Sequence, residues 1–345
     1  MKIDFLCPSG SPVGICPEDI YGRGVGGAEL ALMTFAQVLA SRGHIVRIYN
    51  DPPTSKVYGG VEYLKVAEFQ PGELRDATVL FRVPYKKLGA IRGLKVFWSC
   101  DQSTVGNYPT DVFPYVDKIV VISQHHYDHF VKTYNAPVHR MYVTDLGVRD
   151  WDYPSANTIE KIVGRCIFCS VPGRGLDVLL KVWPLIRKEV PHATLTITSD
   201  YRLWGIAEPR NEEYRRMAQG LEGIQFLGKV SREQLVREQM SAEVQAYPCT
   251  YEELFCISVA ECSFAGAVPV TSQVGAVRTT NAAGYQIEGD PNSPEFQTQF
   301  ALRVVKLLRD SELRAIMSES TRLHAQTNFN WSAIALLWEE QVLVK

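Results

Sequence analysis

Apolar runs of strand length alternate with longer helical patterns along the whole chain. Lys2–Leu6 reads as a strand, and a Gly/Pro-rich loop follows it to Gly27. Ala28–Arg42 is apolar at helical spacing and stops at Gly43, and Ile45–Tyr49 is the next strand. Ala77–Phe81, Lys95–Trp98 and Lys118–Ile122 continue the strand series, and Ser123 is placed to cap a helix through Phe130. The chain crosses Asp145-Leu146-Gly147 and an Asp/Trp/Tyr/Pro stretch, then starts a second series. That series comprises strand Ile162–Cys169, loop Ser170–Gly175, helix Leu176–Glu189, and strands Thr194–Thr198, Gln225–Leu227 and Glu243–Tyr247, with a helix after Ser231. Pro294–Arg309 and Glu312–His324 read as late helices, and Phe329-Asn330-Trp331-Ser332 opens a last one. Strand–helix alternation of this kind predicts an α/β protein with parallel sheets.

The chain has 345 residues, and single cores rarely grow past about 250–300, so two domains are expected. The boundaries read as 1–150, 151–328 and a terminal helix at 329–345 that returns to the first domain. A hydrophobic fraction of 46% and a charged fraction of 21% are those of an ordinary globular protein. The net charge of −2 argues against a nucleic-acid surface. The basic run from Tyr85-Lys86-Lys87 to Lys95 is best read as a solvated face, with peripheral membrane contact the most it predicts. MKIDFLCPSG lacks the apolar region of a signal peptide, and no apolar run approaches the roughly 20 residues that span a bilayer. The eight cysteines are scattered through apolar patterns, so reduced thiols in a cytoplasmic protein are expected. Cys166 and Cys169 form a C-x-x-C inside a strand pattern, where period two would turn their thiols to opposite faces. His125, His126 and His129 begin the Ser123 helix; His125 and His129 have the spacing of a metal pair but no third ligand, so all three read as surface histidines after the serine cap.

One segment carries more chemistry than any other: TYEELFCISVAECSFAGAVPVTS. Seven residues separate Glu253 from Glu261, with an apolar stretch between them. From Leu254 that stretch reads as the start of a buried helix that Gly266 ends before Pro269 opens a strand. On a continuous helix the two acids would stand about 12 Å apart along the axis. The free N–H groups of the helix start would lie between them, favouring an anion such as diphosphate. By spacing alone, two solvated surface glutamates are an equal reading. The flanks Val259-Ala260 and Cys262, Phe264 and Ala265 shift it toward burial, and a buried carboxylate needs partners.

These residues resemble the retaining GT-B glycosyltransferases of the family 4 type, which transfer a sugar from a nucleotide-sugar. The resemblance runs over most of the chain, most strongly at Gly22–Leu32 and from Gly173 to Gly289. It implies two Rossmann-like parallel-sheet domains facing each other across a cleft, acceptor on the N-terminal side and donor on the C-terminal side. It makes Glu253 the contact to the transferred sugar and Glu261 the holder of the ribose hydroxyls. The backbone at Phe255, Cys256 and Ile257 would lie against the phosphates, and Gly26 and Gly27 would form the glycine loop of the donor site. Arg174 takes the place of the family's lysine, while the earlier arginine is replaced by Cys169 or Ser170. Lys229 or Arg202 would supply a second cation, although either residue is more often a surface charge and both rank well below Arg174. Asp101 is the acceptor-side residue, without the histidine that usually precedes it. Between Ser272 and Ala276, where the family has a glycine pair, only Gly275 remains. Ser199–Gly205 is a candidate base pocket.

The resemblance further implies a metal-independent enzyme with no resident cofactor. Its donor would be a UDP- or GDP-sugar, and its acceptor a glycan, a lipid-linked molecule or a small molecule. Two other readings stand beside it: a non-catalytic nucleotide-sugar-binding protein, and a nucleotide-sugar epimerase on the same architecture. A glycosidase is disfavoured, because its paired carboxyls lie about 5–9.5 Å apart across one bond.

Overall fold

The protein is described from a computed structural model, which covers residues 1–8, 15–22, 24–155, 158–204 and 209–344. It divides into two compact units. The first comprises Met1–Ile20, Val25–Gly147 and Trp331–Lys345, and the second Tyr21–Gly24 and Val148–Asn330.

The first unit is built on an eight-stranded sheet. Its strands are β1 (Lys2–Leu6), β2 (Ile45–Tyr49), β3 (Lys56–Tyr58), β4 (Val61–Leu64), β5 (Ala77–Phe81), β6 (Leu94–Trp98), β7 (Lys118–Val121) and β8 (Met141–Val143). They lie in the order β3-β4-β2-β1-β5-β6-β7-β8, and every pair is parallel except β3–β4 at one edge. All five residues of β5 are buried, as a strand covered on both faces requires. Helix α1 (Glu18–Gly22) precedes α2 (Gly27–Ser41), most of whose residues are buried, so it is a core helix with no wet face. In α3 (Gln124–Tyr134), Ser123 Oγ accepts the N–H of His126 at 3.0 Å, as a serine N-cap does. The C-terminal residues join this unit: Trp338 packs on Phe35 and Trp98, at centroid distances of 4.8 and 5.4 Å, and donates to Thr144 Oγ1 at 3.1 Å.

The second unit holds six parallel strands: β9 (Arg165–Phe168), β10 (Thr194–Ile197), β11 (Ile224–Phe226), β12 (Val244–Tyr247), β13 (Val268–Ser272) and β14 (Tyr285–Ile287). Their order is β11-β10-β9-β12-β13-β14. Helices α4 (Leu176–Glu189), α5 (Pro209–Met217), α6 (Arg232–Ser241), α7 (Ile257–Phe264), α8 (Val277–Thr280), α9 (Pro294–Arg309) and α10 (Ser311–Asn328) connect or follow them. Helix starts follow local chemistry: Ser231 caps α6, Ser293 caps α9 with Pro294 at its first position, and Asp310 caps α10.

Three sequence expectations need correction. The helix expected from Leu254 begins at Ile257, because the chain first turns back on itself through Glu253 N–H to Tyr251 O at 2.8 Å. Residues 253–256 are therefore not helical, and a separation along one helix axis does not apply to the two glutamates. The strand expected over Ile162–Cys169 shrinks to Arg165–Phe168. His126 is no surface residue: it is fully buried, its ring edge-on to Phe130. Among the described residues no group of three metal-ligating side chains comes together, and no helix is long and apolar enough to cross a membrane.

Candidate functional site

In a doubly wound sheet, ligands collect where strand order reverses, beyond the carboxyl ends of the strands. In the second unit that point lies between β9 and β12. The loop after β9 carries Arg174, and the loop after β12 carries Glu253. The structure joins them: Arg174 Nη1 donates to Glu253 Oε1 at 2.7 Å and to Oε2 at 2.9 Å. The hydroxyl of Tyr247, the last residue of β12, donates to the same Oε1 at 2.8 Å. The Arg174 guanidinium also lies over the Tyr251 ring, 4.5 Å from its centroid.

Glu253 is 4% exposed, so it belongs to the interior of its loop. Burial raises its pKa above the ordinary carboxylate value, and the Arg174 charge and the Tyr247 hydroxyl pull against that rise. Two glycines shape the surroundings. At Gly175 φ is +114° and an added Cβ would stand 2.1 Å from Pro248 O, so only glycine lets Arg174 turn into the site. At Gly275 φ is +58° and a Cβ would meet Glu253 O at 2.6 Å, while the next N–H, of Ala276, donates to that oxygen at 2.7 Å. The remaining glycine of the pair is thus where the chain crosses closely over Glu253.

Helix α7 begins four residues beyond Glu253 with no side-chain cap. Among the described residues, the backbone N–H groups of Phe255, Cys256, Ile257 and Ser258 make no hydrogen bond. Uncapped donors at a helix start form an anion site. Glu261, one turn further, is 3% exposed and has found protein partners: Arg232 Nη1 donates to its Oε1 at 2.7 Å and Gln239 Nε2 to its Oε2 at 3.1 Å. Arg232 also donates to Asp152 Oδ2 at 2.7 Å, making a buried acid–base–acid chain. Each Glu261 oxygen keeps one lone pair beyond those bonds.

The other expected cations are placed differently. Arg202 is committed to Asp200, with its Nε at 2.8 Å from Oδ2. Lys229 lies beside the same carboxylate, to which its backbone N–H donates at 3.1 Å. In the Ser199–Gly205 stretch Tyr201 is buried, while Gly205 lies outside the described residues, as does Arg23 of the glycine loop. Cys166 and Cys169 do diverge: Cys166 joins the core under α4 and α9, whereas Cys169 packs with Cys262 of α7, sulfur to sulfur at 3.4 Å. All eight cysteines are free thiols.

The first unit has its own site at its own reversal point, between β1 and β5. Gly26 is the N-cap of α2 and Gly27 its first residue. Glu29 on that helix and Asp101 after β6 grip one arginine, Arg82, which follows β5 with φ at +68°. Arg82 Nε donates to Asp101 Oδ2 at 2.6 Å, Nη2 to Oδ1 at 2.9 Å, and Nη1 to Glu29 Oε1 at 2.6 Å. His126 steadies the Asp101 backbone, its Nε2 donating to Asp101 O at 3.2 Å while its Nδ1 accepts the Ile122 N–H at 3.3 Å. Burial drops the His126 pKa to about 3 and keeps the ring neutral. Arg82, Arg232 and Tyr247 were not found from sequence, since each meets its acid only through tertiary folding.

Comparison with known proteins agrees with this geometry. Residues 162–310 match the family model of glycosyl transferases group 1. Sucrose-phosphate synthase from Thermosynechococcus elongatus has a similar structure, with a TM-score of 0.74 at 15% identity over 99% of this chain and 98% of that one. WaaG, a glycosyltransferase involved in lipopolysaccharide biosynthesis, gives 0.70 at 18% identity over 98% and 99%. Anabaena HepE, solved in complex with UDP and glucose, gives 0.69 at 16% identity over 99% of both chains. No curated protein matches the sequence. The chain therefore carries a group 1 glycosyltransferase domain on the GT-B fold.

Proposed function

We propose that this protein is a retaining glycosyltransferase that moves a hexosyl group from a UDP- or GDP-sugar to an acceptor bound by the first unit. The observation that carries the reading is the Arg174–Glu253 pair beside the unpaired N–H groups that open α7. A diphosphate laid on Phe255, Cys256 and Ile257 receives N–H donors on one side and the Arg174 charge on another. Charge that builds on the departing phosphate is stabilised there more than in the ground state, which is the requirement for catalysis. Glu253 orients the sugar, and Glu261 accepts from the ribose hydroxyls with the lone pairs that Arg232 and Gln239 leave. Lys229 completes the donor side in the second unit, and Asp101 serves the acceptor in the first.

The donor class is supported by HepE, whose crystals hold UDP and glucose. Retention follows from the resemblance, and the geometry suits a route without a covalent sugar–enzyme intermediate. Both Glu253 oxygens accept from Arg174, and Tyr247 adds a second bond to Oε1, so the carboxylate is a poor free nucleophile. In this reading the phosphate charge is met by N–H groups and arginine with no metal, and the free thiols suit the cytoplasm.

The test is a panel of UDP-, GDP- and ADP-sugars with chelator present, followed for nucleotide release and product anomer. The reading expects release from one UDP- or GDP-sugar with the donor's anomeric form kept. An inverted product removes the retaining assignment. Tight donor binding with no release from any donor replaces the enzyme with a binding protein.

A further inference from the structure

The sequence sets Cys169 three residues from Cys166, and the fold separates them: Cys166 lies in the core under α4 and α9, while Cys169, just past β9, meets α7. Its partner there is Cys262, in the second turn of α7, and the two sulfurs stand 3.4 Å apart. From that contact a disulfide needs only that the sulfurs close further. The two thiols are unequal. Cys169 is partly exposed, whereas Cys262 is fully buried among Ile167, Ala242 and Ala267. Burial holds the Cys262 thiol well above the usual thiol range, so Cys262 is not the thiol that meets an oxidant first. A solvent-accessible thiol with a resolving thiol in contact is how reversible oxidation sites are built. Cys16, also partly exposed, turns its sulfur to Asp19 Oδ2 at 3.4 Å instead of to a second thiol.

The pair sits where movement would be felt. Cys169 leads into the loop of Arg174, and Cys262 directly follows Glu261. Arg232 and Gln239 fix the buried Glu261 carboxylate, so a close-packed α7 cannot shift at Cys262 without disturbing it. We propose that Cys169 and Cys262 are a peroxide-oxidisable pair whose reversible disulfide ties the loop after β9 to α7. Resting on the donor-site reading above, that tie displaces Glu261 and weakens nucleoside diphosphate binding. Hydrogen peroxide is the oxidant. The Cys169 sulfur attacks one peroxide oxygen, the O–O bond breaks, and the departing hydroxide takes the thiol proton as water, leaving a sulfenic acid. The Cys262 sulfur then attacks the Cys169 sulfur, the S–O bond breaks, and hydroxide leaves with the Cys262 proton as a second water. The two thiols give up two electrons in all, and a dithiol reductant returns them.

The experiment treats the reduced full chain with hydrogen peroxide, alkylates and digests it, and maps the peptides by mass, alongside calorimetric titration with UDP and GDP. The expected result is a Cys169–Cys262 linked peptide that dithiothreitol reverses. Cys169→Ser and Cys262→Ala each remove it, Cys262→Ala leaves Cys169 as a dimedone-reactive sulfenic acid, and Cys16→Ser leaves the link intact. Oxidation should weaken the nucleotide that binds by about tenfold, roughly the worth of one charge-assisted hydrogen bond, and reduction should restore it. Peroxide that leaves both thiols free, or that carries Cys169 to sulfinic acid without linking it, overturns the pair. A linked protein with unchanged nucleotide affinity overturns its effect on the donor site. Mapping needs no ligand, so the failures are distinguishable: a linked peptide in a protein that binds neither UDP nor GDP keeps the pair and rejects the donor-site reading.

Discussion

The two units place an arginine–carboxylate cluster at the same point of their sheets and build it differently. In the first unit one guanidinium is divided between two carboxylates, Glu29 and Asp101. In the second, Arg174 balances Glu253 one to one, and the uncapped start of α7 adds positive potential. Burial differs too: the Glu253 side chain is 5% exposed where that of Asp101 is 32%. The uncapped helix start of the second arrangement favours an anion. One fold built twice thus holds two differently arranged and differently buried clusters, and side-chain pairing makes the difference.

The strongest way to break this comparison is to strip charge from the drier unit. Arg232→Met leaves Asp152 and Glu261 buried without their shared cation, and a loss of about 3–5 kcal/mol in urea unfolding is expected. Arg82→Met, at a pair a quarter to a third exposed, should cost about 1 kcal/mol. Equal losses would mean that the two sites do not differ in dielectric character.

Next in size is Glu253→Gln. It replaces a charge-assisted contact with a neutral one, at about 1.5–3 kcal/mol, or roughly 10- to 100-fold in kcat/KM for the donor. Asp101→Asn should instead raise the acceptor KM and spare donor binding. Steady-state kinetics with each substrate varied separates them, and a donor defect in Asp101→Asn would blur the division of labour.

Gly175→Ala probes the backbone beneath the second site. A side chain in that left-handed conformation costs about 1–2 kcal/mol, and its Cβ must push against Pro248 O. Thermal unfolding of unit 2 should fall accordingly, with Arg174 displaced and turnover reduced. An unchanged unfolding profile would show that the loop relaxes freely.

The first site is also the one tied to a histidine. Because the folded protein holds the His126 pKa near 3, the unfolded chain binds more protons from about pH 6.5 down to about 3. Stability should fall by about 1.4 kcal/mol per pH unit across that window and level off below it. His125 and His129 on the same helix repel a proton there as well, and the Asp101 carbonyl attracts it. His126→Gln should flatten the slope relative to wild type in acid unfolding. An unaltered slope would place the acid sensitivity elsewhere.

The alternation of strands and helices was legible because each signal is local: β1, β2, α2, α4 and β12 lie where periodicity puts them. Arg174 and Glu253 were legible as a motif, although 79 residues separate them. The edge hairpin β3–β4 carried a visible signal in its Gly59-Gly60 turn and was missed for its weak apolar pattern. The start of α7 was misplaced because an apolar run looks the same in a loop and in a helix. Before its true beginning the chain turns at Glu253, whose N–H donates to Tyr251 O and whose carbonyl accepts the Ala276 N–H, contacts that no local pattern announces. Arg232 and Arg82 were invisible for a like reason: their acids lie 29, 80, 53 and 19 residues away, and no spacing rule spans such distances.

The most direct test of the account is calorimetric titration of the protein with the nucleoside diphosphate its donor panel selects, and with the matching nucleoside. Ile257→Pro removes one N–H at the first position of α7, where proline is otherwise tolerated. This change, like Arg174→Gln, should weaken the diphosphate about tenfold and leave nucleoside affinity as it was. Diphosphate affinity equal to that of the nucleoside in the wild type, or unmoved by both substitutions, would contradict it.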